Sequence, residues 1–118
     1  MNWHNLIRFH KNPPLHQIQR SPLTQQKYNK FLSNPKNLQE FKNNLFKHNS
    51  WEILPNTFPY YFTDNTKSYV LWSQIPLHYD SIEYIIQKYT YFKNYIYFVN
   101  RNKNQSIPTI FHAHIFVK

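Results

Sequence analysis

Cysteine and glycine are both absent from this 118-residue chain. Without cysteine there is no disulfide framework and no thiolate zinc site. Without glycine there is no P-loop, no dinucleotide fingerprint and no serine nucleophile elbow, because each needs a glycine backbone. Dehydrogenases, P-loop ATPases and protein kinases are thereby excluded. Acidic residues are also scarce, five in all. No apolar run approaches the eighteen or so residues of a membrane span, and the N-terminus has no apolar signal core. A cytoplasmic location is expected (host cytoplasm if the source is viral), with the Arg8–Lys11 region leaving an organellar address open.

What is present bounds the fold. The length suits one domain over residues 1–118, and 41% apolar with 19% aromatic content is too hydrophobic for a disordered chain. The net charge of +9 is unevenly placed. Residues 1–50 carry eight Lys and Arg against Glu40 alone, whereas residues 51–118 carry six against four acids. A basic half on a nearly neutral half suits a polyanionic partner such as nucleic acid or an acidic protein assembly. AT-rich coding offers a simpler source for the same Lys and for the fifteen Asn.

Residues 1–50 read as helical. Trp3, Leu6, Ile7 and His10 recur at helical spacing until Pro13-Pro14. Ser21-Pro22 and Asn34-Pro35 are two successive helix starts, each a capping side chain followed by a proline at the first helical position. The first runs through Tyr28, Phe31 and Leu32. The second carries the stripe Leu38, Phe41, Leu45 with lysines on its outer face.

Residues 51–118 read as strand-rich. Pro55 and Pro59 bracket a loop. Strands are predicted over 67–73, 95–100 and 109–117, with a helix capped by Asp80 or Ser81 running through Ile82, Ile85, Ile86 and Tyr89. The expectation is an α+β domain: N-terminal helices packed on a small, mainly antiparallel sheet with one further helix. Lacking glycine, the chain is expected to place any left-handed turn on Asn.

Four blocks in order resemble the domain of unknown function 3605 family of fungi, bacteria and large DNA viruses. They are Arg20-Ser21-Pro22 with Tyr28; the segment from Trp51 through Pro55-Asn56-Thr57-Phe58-Pro59-Tyr60; the strand Val70-Leu71-Trp72-Ser73; and Phe98-Val99-Asn100, Ser106-Ile107-Pro108 and His112-Ala113-His114-Ile115-Phe116-Val117. The resemblance spans roughly residues 3 to 117. Two departures stand out: Ser68-Tyr69 where the family often has His, and Asn100-Arg101 where it favours Asn-Pro. The resemblance implies a fold boundary and a site location, and it implies no chemistry.

His112 and His114 are the candidate catalytic residues, because positions i and i+2 of a strand share one face of the sheet. Ile110 and Phe116 join them there. Two neighbouring imidazoles can bind a metal or divide acid, base and nucleophile roles on a phosphate. The alternative is a structural pair, one hydrogen-bonded and one exposed. Histidine-triad hydrolases need a third alternating histidine, and two-histidine phosphoesterases need two separated H-x-[ST] motifs. Only His48-Asn49-Ser50 matches the latter. No metal site and no cofactor is therefore assigned. Trp51 and Trp72 are candidate stacking platforms for a base or cap nucleotide, against the plainer reading of both as core. Arg20 beside the Ser21 helix start suits an anion, and Asn56 and Asn100 complete the ligand-binding set. The expected function is binding of a phosphate-bearing ligand, nucleotide or RNA. The alternatives are an enzyme acting on that ligand through His112 or His114, and a structural subunit of a protein or ribonucleoprotein assembly.

Overall fold

The structure is a computed structural model that describes residues 1–14, 17–100 and 110–118. Four α-helices and one four-stranded sheet are present among them. Helix α1 (Trp3–Leu6) continues into a 3₁₀ turn (Ile7–Phe9), and α2 (Pro22–Ser33) and α3 (Pro35–Asn44) form a hairpin. Strands β1 (Trp51–Pro55) and β2 (Lys67–Ser73) precede α4 (Tyr79–Tyr89), followed by β3 (Tyr95–Phe98) and β4 (Phe111–Val117). Strand order is β1-β2-β4-β3, antiparallel at every pairing.

The helix starts form as the sequence predicts. Ser21 Oγ accepts the Thr24 N–H (3.2 Å) and Asn34 Oδ1 accepts the Lys36 N–H (3.0 Å), each with proline next in the chain. Four details differ. Trp51–Pro55, for which no strand was predicted, pairs with β2 as an edge strand and leads into the Pro55–Pro59 loop. Helix α4 begins at Tyr79, at least two residues earlier than a cap at Asp80 or Ser81 would give, with His78 at the N-cap position making no side-chain hydrogen bond. Strand β3 stops at Phe98, short of Asn100. The left-handed positions among the described residues are Lys11 (φ 60°) and Phe46 (φ 62°), neither of them Asn. The backbone strain of about 1–2 kcal/mol at each is offset by one backbone hydrogen bond and by side-chain contacts. The Lys11 N–H donates to the Tyr97 carbonyl (2.8 Å) while its Nζ pairs with Glu83 (2.7 Å), and the Phe46 ring packs against the cluster of Leu45, Val70 and Trp72. The predicted connection from Arg101 to Pro108, and the start of the last strand at 109, lie outside the described residues.

Strand alternation sorts the core into two faces. Leu71, Tyr97, Ala113 and Ile115 meet Ile82, Ile85 and Ile86 of α4 on one. On the other, Ile96, Phe98 and Phe116 meet Leu6 and Phe9, while Val70 and Trp72 meet Leu38, Phe41 and Leu45 of the hairpin region. The open side of β3 is covered, since Tyr97 donates its N–H to His10 Nδ1 (3.2 Å) and accepts the Lys11 N–H. Helices α2 and α3 contain no fully buried residue. They touch the sheet side through half-buried rings and stand off from it, and the space they leave holds the site.

Candidate functional site

Between the α2–α3 hairpin and the sheet lies a cavity of about 610 Å³. Its floor is β2 and β4, which present Val70, Trp72, His112 and His114. Its far wall is Tyr28, Phe31 and Phe41. Its side is the segment from Pro55 to Tyr60, and Arg20 closes one end.

Arg20 is fixed on three sides. Its guanidinium lies over the Tyr28 ring (4.1 Å to the centroid) and the Tyr60 ring (5.0 Å), and its Nε donates to the Phe58 carbonyl (2.8 Å). No carboxylate pairs with it: the ion pairs among the described residues are Lys11–Glu83 and Lys118–Asp64. The acid lining the cavity is Glu40, exposed at its rim on α3. A half-buried cation with no counter-charge is an anion site held ready.

The two imidazoles differ. Nδ1 of His112 is 3.0 Å from the Ile110 carbonyl. A carbonyl only accepts, so Nδ1 carries the hydrogen and Nε2 is left as the basic nitrogen. Burial pushes the His112 pKa below its ordinary value, opposed in part by that hydrogen bond. His114 is enclosed by the rings of Tyr60 (5.6 Å), Phe98 (5.7 Å), Phe116 (6.3 Å) and His112 (5.6 Å). Burial, then the neighbouring His112 and Arg20, pull its pKa down to about 3. Both rings are neutral at physiological pH. His114 Nδ1 is buried and has no hydrogen-bond partner. Such an orphan costs about 1–3 kcal/mol and marks a group waiting for something.

Asn56 is a second such group. Its Oδ1 accepts the Phe58 N–H (3.1 Å), turning the loop as the sequence suggests, yet its Nδ2 is buried and unpartnered. Asn100 is buried and also lines the cavity. Trp72 packs against His112 (4.8 Å) and Phe41 (4.9 Å), so it is core and cavity floor at once.

Arg20, Asn56, Trp72, Asn100, His112 and His114 are thus brought together. Two expected partners are not. Trp51 opposes Ser73 across the β1–β2 ladder, which turns its side chain to the α4 face against Tyr89 (4.9 Å); the expectation that it joins the histidine face is corrected. Ser21 spends its hydroxyl on Thr24 and lines an adjoining groove that shares Pro55, Asn56 and Tyr60 with the cavity. Missed in the sequence were Phe31, Asn37, Glu40, Phe41 and Asn44, all contributed by the hairpin. Phe31 on the first helix and the Leu38, Phe41, Leu45 stripe on the second were legible, though only as apolar faces. Among the described residues no three metal-binding side chains cluster.

Residues 37–118 match the family model described as "Protein of unknown function (DUF3605)". The chain belongs to this family. Arg20 and Tyr28 precede the matched DUF3605 segment, yet they close the cavity whose floor that segment supplies. No curated protein matches the chain. A solved structure, the crystal structure of HTC1, superposes with a TM-score of 0.73 at 19% identity, covering 98% of this chain and 84% of that one. At that identity the likeness shows the fold alone. No helix among the described residues is long and apolar enough to cross a membrane.

Proposed function

We propose that this DUF3605 domain binds a phosphate-bearing ligand, with Arg20 and the His112/His114 face as the anion end of the cavity. The observation that carries this reading is the Arg20 guanidinium, held between two tyrosine rings with no carboxylate partner and beside a buried imidazole with an unpartnered nitrogen. Phosphate oxygens accept from every donor in that set, and the planar fork of arginine matches them. Exposed Lys27, Lys30, Lys36 and Lys47 on and beside the hairpin raise the local concentration of anions, and extend the same reading to an RNA phosphate.

Catalysis on that ligand is a second reading with its own support. The Ile110 carbonyl fixes the tautomer that leaves His112 Nε2 basic, which suits a general base or nucleophile. His114, neutral down to about pH 3, suits hydrogen bonding to the ligand instead. A role as a subunit of a larger assembly draws support from exposed aromatics alone, among them Tyr84, Tyr89 and Tyr91 on and after α4.

A thermal-shift screen with nucleotides, short RNA and divalent metals tests the proposal. Stabilisation by a phosphate-bearing compound that disappears in Arg20→Lys and in His114→Phe supports it. The reading is sunk by a folded wild type that shifts with no phosphate-bearing compound.

A further inference from the structure

The order of groups along the cavity says more about its occupant, on the reading that the occupant bears phosphate. Ring contacts run from the Arg20 end inward: Arg20 over Tyr60, Tyr60 against His114, His114 against His112, His112 against Trp72, and Trp72 against Phe41. One end is cationic, the middle carries polar nitrogens, and the other end is bounded by the rings of Phe41 and Trp72, which meet edge to face. We infer that the cavity is shaped for a nucleoside monophosphate, its single phosphate at Arg20 and its base against the Phe41–Trp72 wall, and that it discriminates against triphosphates and against internal phosphates of RNA.

Charge supports the count of one phosphate. Among the described residues lining the cavity, Arg20 is the one cation, and Glu40 at the rim opposes it. A terminal phosphate carries about −2 at pH 7, so the one guanidinium offsets about half of it and hydrogen bonds from neutral side chains take up the rest. The further negative charges of a triphosphate would lie between an apolar wall and Glu40, where an unpaired charge is costly. A volume of about 610 Å³ falls in the range of small-molecule sites and has room for a mononucleotide. A cavity of that size takes a short ligand in preference to a continuous strand. Two of the three buried orphans among the described residues, His114 Nδ1 and Asn56 Nδ2, sit among these walls, and a ribose hydroxyl or phosphate oxygen supplies the partner each lacks.

Calorimetric titration of the full chain in EDTA decides between these ligands. The probes are purine and pyrimidine monophosphates, their nucleosides, their triphosphates and a short oligoribonucleotide. At least one monophosphate should bind about tenfold or more tightly than its nucleoside, its triphosphate and the oligonucleotide. Equal or tighter binding of a triphosphate or of RNA overturns the single-phosphate inference while leaving the phosphate reading intact. Absence of binding by every phosphate-bearing probe removes both. Because Arg20 also braces the Phe58 loop, its variants perturb the fold as well as the ligand site, so Glu40→Gln supplies the independent arm. Glu40 is exposed on α3, and removing its charge should tighten monophosphate binding about threefold, in the range of a rim charge. Unchanged affinity in Glu40→Gln overturns the inference.

Discussion

Lowering the pH from 7.5 to 5 should destabilise this protein through its histidines before any carboxylate titrates. His114 has a pKa near 6.5 in the unfolded chain and about 3 in the fold. Between those values the unfolded state holds a proton that the folded state does not. Stability therefore rises with pH across that window, is lost as pH falls below about 6.5, and levels off above it. For His114 alone the change from pH 7.5 to 5 is about 30-fold in the folding equilibrium, or about 2 kcal/mol. His112 and His10 are shifted in the same direction, both chiefly by burial, and steepen the loss. At His10 the geometry agrees, since its Nδ1 accepts the Tyr97 N–H and protonation breaks that bond. Asp64 and Glu83 have lowered pKa values, so what they contribute is lost only as pH falls below their unfolded values near 4. Urea unfolding followed by tryptophan fluorescence at a series of pH values reads the slope directly. In His114→Phe the slope should fall by about one proton. That variant should also be at least as stable as the wild type at pH 7.5, because an orphaned polar atom is replaced by a ring among Tyr60, Phe98 and Phe116. Stability that stays flat between pH 7.5 and 5, or equal slopes in the two proteins, would refute the reasoning.

Two further outcomes separate the site from its surroundings. Trp72→Phe should weaken binding of the best nucleoside monophosphate severalfold, while Trp51→Phe leaves that affinity unchanged, because the two indoles lie on opposite faces of the sheet; titration of both variants checks it. Ser21→Ala should cost about 1 kcal/mol in urea unfolding by removing the cap on the Thr24 N–H, with ligand affinity held within twofold, since the Ser21 hydroxyl is already committed.

Local signals in the chain determined the elements that depend on neighbours in sequence. Ser21-Pro22 and Asn34-Pro35 start helices because a capping oxygen and a fixed proline φ act within one turn. His112 and His114 share a face because a strand repeats every two residues, whatever lies opposite. The α+β character and the motifs that mark the family were likewise readable. Strand β1 was not, because Trp51–Pro55 is short, ends in proline and becomes a strand only through its ladder with β2. The face taken by Trp51 followed from that register, and no property of the residue reveals it. The left-handed backbone fell on Lys11 and Phe46 because a distant carboxylate and a ring cluster reward those side chains. Most of all, the meeting of Arg20 with His114 across more than ninety residues of chain belongs to the tertiary structure. Electrostatics and burial act through space, so the same residues that sequence could name became a site only when the hairpin closed over the sheet.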